Sequence, residues 1–286
     1  MRLRFPAVVL VALALAATAC GDDDTSDTTA AAGGGGCAID QLELVTEGTL
    51  TIATGEPAFP PWVEDDDPAS KRGFEAAVAY AVAGEMGFSD DQVTWVRTSF
   101  DDVIAPGPKD FDFNLQQFSI TPDRQEVVDF SDPYYTTTQA LVAFAGSEVA
   151  SVTSVAELAG YRLGASIGST SFDFIEEVIQ PDEDAAVYDS NANAKSALEA
   201  GQVDALVFDL PTAYFITAVE IPEATIVGQL VAPEAQADQL GLLFAKGNSL
   251  VSCVNAALGT LRADGTLDDL AEQWLAQEGD IPTLSP

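Results

Sequence analysis

Short apolar runs alternate along this chain with stretches in which apolar side chains recur every three or four positions. Leu50-Thr51-Ile52-Ala53 reads as a strand that breaks into Gly55-Glu56-Pro57. Phe74, Ala77, Val78 and Ala81 then repeat at helical spacing until Gly84 and Gly87 close the segment. Further strands are predicted over residues 112–120, 140–144, 163–165 and 204–208, the last entering a turn at Pro211. Residues 172–179 carry a helical pattern, and Val251, Val254, Leu258 and Leu261 form one apolar stripe. Thr266, with Asp269 three residues on, is predicted to cap a final helix burying Leu267, Leu270, Ala271, Trp274 and Leu275. Strand-length runs alternating with helical patterns define the α/β class. No internal repeat is visible.

The N-terminus breaks this rhythm. Arg2 and Arg4 precede an apolar run over residues 5–19, which stops at small residues before Cys20. That is the layout of a secretory signal peptide rather than a membrane span. Ala17-Thr18-Ala19-Cys20-Gly21 resembles the lipobox of bacterial lipoproteins, in which the cysteine is acylated, although Ala17 stands where Leu is usual. A soluble secreted protein cut near Ala19 is the alternative. Residues 21–36 follow as an acidic cluster, Ser and Thr, then alanines and glycines, a composition suited to a flexible tether. Random-coil scaling gives such a tether a reach of roughly 20–25 Å. Export to the outer face of the cell membrane, with membrane contact through the lipid alone, is the expectation.

Charge and cysteine content narrow the chemistry. Of 11 Lys and Arg, two lie in the leader, leaving nine against 46 Asp and Glu. A polyanion is repelled by such a chain, so nucleic-acid binding is disfavoured. There is no histidine, which removes Ser-His-Asp and Cys-His catalysis and most zinc sites; neither metal nor cofactor is expected. With Cys20 assigned to lipid, Cys37 and Cys253 form an even pair, which in an exported chain favours a disulfide over two free thiols.

Three stretches carry candidate chemistry. In Ser119-Ile120-Thr121-Pro122-Asp123-Arg124, Thr121 and Pro122 read as a helix N-cap and first helical residue. This holds a hydroxyl and a guanidinium over the C-terminal edge of a sheet, where open α/β folds bind ligands. Arg124 offers a planar fork to a carboxylate, or else a structural ion pair. Ser166-Ile167-Gly168-Ser169-Thr170-Ser171 places small residues at a helix N-terminus, either an anion pocket or an ordinary capped turn. Asp209 ends a strand before Pro211, where it can meet an ammonium group or remain a surface acid. Together they complement the two ends of a zwitterionic α-amino acid, and Phe59 and Phe100 are available as apolar walls.

The order of motifs resembles the polar amino-acid-binding proteins of ABC importers, extracellular solute-binding protein family 3, with the periplasmic-binding-protein-like type II fold. Phe59-Pro60-Pro61-Trp62, Gly73-Phe74, residues 119–124, Val128-Asp129-Phe130-Ser131-Asp132-Pro133-Tyr134-Tyr135, Leu158-Ala159-Gly160, Gly168-Ser169-Thr170 and Val203-Asp204-Ala205 carry it. The resemblance implies two lobes joined by two hinge strands: residues 37–138 plus 236–286, and residues 139–235. It implies that Arg124 grips the ligand carboxylate, helped by Ser169 and Thr170. Ser119, the Gln117 carbonyl and Asp209 would hold the ammonium, Phe59 and Phe100 would sandwich the side chain, and Glu56 would read it. Gln117 replaces a commoner small residue, and residues 103–108 are irregular where the family has a regular helix.

The leading expectation is therefore binding without chemistry: a cleft receives one amino acid, polar or cationic, and a monomer delivers it to an ABC permease. A dehydratase-like enzyme on the same scaffold and an accessory ligand sensor are the competing readings. Neither histidine nor an activated nucleophile supports the enzyme.

Overall fold

The computed structural model describes residues 36–231, 237–275 and 280–285. The leader, Cys20 and most of the tether lie outside the described residues. The strands are β1 (Leu50–Gly55), β2 (Val93–Thr98), β3 (Phe113–Asn114), β4 (Val128–Phe130), β5 (Tyr135–Thr137), β6 (Gln139–Phe144), β7 (Leu163–Ser166), β8 (Ala186–Tyr188), β9 (Ala205–Asp209), β10 (Ala224–Leu230), β11 (Asp238–Leu240) and β12 (Leu243–Ala245). The helices are α1 (Phe74–Glu85), α2 (Phe100–Ile104), α3 (Pro122–Val127), α4 (Thr170–Phe174), α5 (Asn191–Glu199), α6 (Leu210–Phe215), α7 (Val251–Ala263) and α8 (Thr266–Leu275). Wider π-helical turns extend α4 over Ile175–Ile179 and α6 over Ile216–Glu220.

Two five-stranded sheets organise the molecule, in the orders β2-β1-β3-β12-β4 and β10-β6-β9-β7-β8. In the first, β2, β1 and β3 run parallel and β12 antiparallel to β3 and β4. In the second, β8, β7 and β9 run parallel, with β6 antiparallel to β9 and β10 to β6. Every residue of β1 is buried, as a strand covered on both faces requires. Leu50, Ile52, Phe74, Val78, Val254 and Leu258 fill one side of the first sheet, while Ala53, Phe118, Val128 and Leu243 fill the other. Leu141, Leu163 and Val207 lie on one face of the second sheet, and Val142, Leu206 and Phe208 on the opposite face.

Among the described residues the chain passes between the sheets after Phe130, after Leu230 and again between α8 and residue 280, and β5 and β11 pair antiparallel within the first two crossings. Cys37 and Cys253 are disulfide-bonded, with Cα atoms 5.6 Å apart, and pin the start of the described chain to α7. By chain entropy, closing so long a loop contributes on the order of 5 kcal/mol.

Three expectations change. The strand predicted over residues 112–120 reduces to Phe113–Asn114, because Gln117 turns with a positive φ of 52° and carries the chain out of the ladder. Thr266 begins the last helix rather than capping it; its N–H donates to Asp264 Oδ1 at 2.9 Å. The C-terminal stretch 280–285, expected with the first sheet, returns to the second. There Gln229 N–H donates to the Pro282 carbonyl at 2.8 Å and Leu284 N–H to the Gln229 carbonyl at 2.9 Å. Leu284 is 2 % exposed and packs with Leu141, Val227 and Leu230, so burial of its side chain is the reason.

Candidate functional site

The loops leaving the C-terminal ends of β1, β2, β3, β7, β8 and β9 face one another across a cavity of about 290 Å³. Every candidate ligand residue, Glu56, Phe59, Phe100, Gln117, Ser119, Arg124, Ser169, Thr170 and Asp209, lines it.

Arg124 is held from its own helix start. Thr121 caps α3 and accepts from Arg124 N–H at 3.3 Å, and Pro122 occupies the first turn. The side chain is 7 % exposed. Its Nη1 donates to the Ser119 carbonyl and its Nη2 to the Gly168 carbonyl, both at 2.8 Å, so one guanidinium joins the two sheets. Beneath it, Phe100 lies 5.5 Å from the guanidinium carbon and stacks on Phe118 at 4.8 Å. Burial lowers the Arg124 pKa, and Asp173, Asp238, Asp209 and Asp101 oppose that shift. The guanidinium remains charged. Gly168 has φ +66°, and a Cβ there would meet Asp101 Oδ1 at 2.7 Å, which suits only glycine.

The hydroxyls sit where the two sheets meet. Ser119 Oγ lies 3.2 Å from Thr170 Oγ1. Ser169 caps α4, accepting from Phe172 N–H at 3.1 Å while donating to the Ser166 carbonyl at 2.7 Å. Asp209 ends β9 and accepts from Gln139 Nε2 at 2.9 Å. Burial, followed by the nearby Asp238 carboxylate, pushes the Asp209 pKa up to about 7, and the Gln139 hydrogen bond acts the other way.

Glu56 is exposed at the cavity edge, with Arg97 close enough to feel its charge. Phe59 is half-buried, and Lys195 Nζ from the opposite sheet's helix α5 lies 5.4 Å from its ring centre.

Sequence reading missed Glu75. Its carboxylate is 1 % exposed and accepts from Gln117 N–H at 2.7 Å, from the Gln117 side-chain amide and from the Tyr134 hydroxyl. This carboxylate therefore fixes the left-handed turn at Gln117. Burial outweighs those three hydrogen bonds and raises the Glu75 pKa to about 7. An acid on an otherwise apolar helix face was the signal available for it. Gln116, Asp101, Asp189 and Asn191 also line the cavity and were not anticipated. Nor was Gln139, which donates to Asp209.

The sequence profile of the bacterial extracellular solute-binding proteins, family 3, matches residues 50–277. The chain belongs to this family. Among curated relatives, the L-cystine-binding protein TcyJ of Escherichia coli (strain K12) is 28 % identical over 235 residues, covering 81 % of this chain and 84 % of that protein. The L-arginine-binding protein of Pseudomonas aeruginosa is 29 % identical over 227 residues, covering 77 % and 86 %. Among solved structures, an ancestral arginine-binding protein bound to glutamine superposes with a TM-score of 0.68 at 30 % identity, covering 81 % of this chain and all of that one. The ancestral amino acid-binding protein AncCDT-1, a precursor of cyclohexadienyl dehydratase, gives 0.67 at 28 % identity, covering 80 % and 95 %. This family-3 protein thus has the two-lobe periplasmic-binding fold, one lobe on each sheet, and its named curated relatives are binding proteins. No described helix is long and apolar enough to cross a membrane.

Proposed function

We propose that this family-3 protein captures one amino acid, with a polar or cationic side chain, and delivers it to an ABC importer without chemical change. The observation that carries this reading is a buried guanidinium, Arg124, lining a single cavity together with the Asp209 carboxylate and the hydroxyls of Ser119, Ser169 and Thr170. A zwitterion presents the complementary pair. Arg124 takes the ligand carboxylate with Ser169 and Thr170; Ser119, the Gln117 carbonyl and Asp209 take the ammonium. Phe59 and Phe100 flank the side chain, and Glu56 reads its end.

Residues 37–138 with 237–275 form one lobe in this proposal, and residues 139–231 with the tail 280–285 form the other. Closure about β5 and β11 buries the ligand, and a permease recognises the closed form. Cys20 carries the lipid that tethers a monomer outside the membrane.

Calorimetry and thermal shift against a panel of amino acids test the reading. At a hundredfold excess over Kd, a bound ligand adds roughly 2.7 kcal/mol of stability. No response to any amino acid would sink the proposal. The same samples, assayed for a changed ligand, decide against an enzyme of the dehydratase type if the ligand is recovered intact.

A further inference from the structure

Side chains at the two hinge crossings meet beside the site. Gln139 opens β6, directly after the first crossing, and is 4 % exposed. Its Nε2 donates to Asp209 Oδ1 at 2.9 Å and to Asp238 Oδ2 at 2.6 Å. A side-chain amide has two N–H bonds, so the two carboxylates use both. Its Oε1 accepts from the Ser171 hydroxyl. Asp238 begins β11, in the second crossing, and also accepts from Thr170 Oγ1 at 3.1 Å. The amide nitrogen stands 3.3 Å from the same Thr170 hydroxyl.

Asp209 lies on the second lobe's β9, and Asp238 on a hinge strand paired with β5. Rotation about the hinge moves Asp238 relative to β9. Two like charges held together there repel unless a donor bridges them. Gln139 is that donor, buried too deeply for water to replace it cheaply.

We propose that Gln139 and Asp238 are positioning residues of the amino-acid site. They hold the Asp209 carboxylate and the Thr170 hydroxyl in the binding arrangement and tie that arrangement to the hinge angle. A ligand ammonium arriving at Asp209 supplies the positive charge that the pair of carboxylates lacks, and so favours the hinge setting in which they are close. This inference rests on the amino-acid reading above. It adds two residues that would not touch the ligand and yet govern its affinity.

The test is a double-mutant cycle read by calorimetry, with L-arginine, L-glutamine and L-cystine as probes. Gln139→Leu keeps the volume and removes the bridge; it should weaken binding at least tenfold while the protein still melts cooperatively. Asp238→Asn alone should weaken it about threefold. The double variant should return to within about threefold of Asp238→Asn, because removing one charge removes the need for a bridge. A purely structural role predicts losses that multiply, and that result overturns the proposal. So does a Gln139→Leu affinity within twofold of wild type. If Gln139→Leu does not fold, Gln139→Glu at pH 8 should show the same loss, and unchanged affinity overturns the proposal equally.

A ligand-free measurement separates this inference from the amino-acid reading. Amide hydrogen exchange over residues 237–240 should rise at least fivefold in Gln139→Leu, whether or not any probe binds. Unchanged exchange there, with the fold intact, counts against the hinge tie even if the wild type binds a probe tightly. If the wild type binds no amino acid of the full panel but exchange rises, the hinge tie stands and the amino-acid reading fails.

Discussion

Trp62 and Thr212, 150 residues apart in sequence, are joined across the two lobes by a hydrogen bond from Trp62 Nε1 to Thr212 Oγ1 at 2.9 Å. Trp62 packs with Phe74 and Tyr135 in the first lobe's core, and Thr212 sits in α6 of the second. Both are buried, at 2 % and 8 % exposure, so the bond exists only while the lobes are together.

Thr212→Val therefore leaves a buried indole N–H without an acceptor in the closed form and costs nothing comparable in an open one. Ligand affinity should fall roughly fivefold, on the order of 1 kcal/mol, with little change in ligand-free melting. Calorimetry together with small-angle scattering of the liganded form checks this; unchanged affinity removes the bond from the closure energetics.

Arg124→Ala should abolish measurable binding of every amino acid, a loss of at least about 3 kcal/mol for a charge-assisted forked contact. Arg124→Lys keeps the charge but not the fork, nor both carbonyl bonds, to Ser119 on its own lobe and to Gly168 across the cleft, and should recover only a small part. Titrations of both variants against whichever amino acid the wild type binds decide it. Retained micromolar affinity in Arg124→Ala contradicts the clamp.

Glu75 makes stability depend on pH. Its folded pKa of about 7 lies above the ordinary 4.5, so the folded chain holds this proton more tightly than the unfolded chain. The contribution is fully present below about pH 4.5 and is lost as pH rises to about 7, on the order of 3 kcal/mol. Glu75→Gln retains an acceptor for Gln117 N–H and Tyr134, while an amide flip of Gln117 meets the new NH2. The stability of Glu75→Gln relative to wild type should therefore rise across that window. Denaturant titrations at pH 5 and pH 8 measure it, and a difference independent of pH refutes the assignment.

Leu284→Ala should cost about 2–5 kcal/mol, because the residue is buried against Leu141, Val227 and Leu230. Urea unfolding reads the loss. A cost below 1 kcal/mol would mean that the tail is dispensable to the second lobe.

The elements that sequence reading found are those in which one short stretch suffices. Leu50-Thr51-Ile52-Ala53, the α1 stripe and the Thr121-Pro122 cap declare themselves through periodicity and local hydrogen bonding. The residue types of the ligand clamp were legible for the same reason: each follows a strand end or opens a helix. The short β3 and the left-handed turn at Gln117 were not, since a buried carboxylate 42 positions away holds that turn. The tail was missed because Leu284 is a single apolar residue whose partners lie far back along the chain.

Local chemistry along the sequence thus determined the α/β rhythm, the strand ends that carry Arg124 and Asp209, and the pairing of two cysteines. Tertiary structure alone decided that Arg124 spans both lobes, that Glu75 supports Gln117, and that Gln139 bridges Asp209 and Asp238. Hydrogen bonds within a turn or cap are written in neighbouring residues. Bonds between distant carboxylates, amides and carbonyls form only when burial brings them together and removes the water that would otherwise satisfy them.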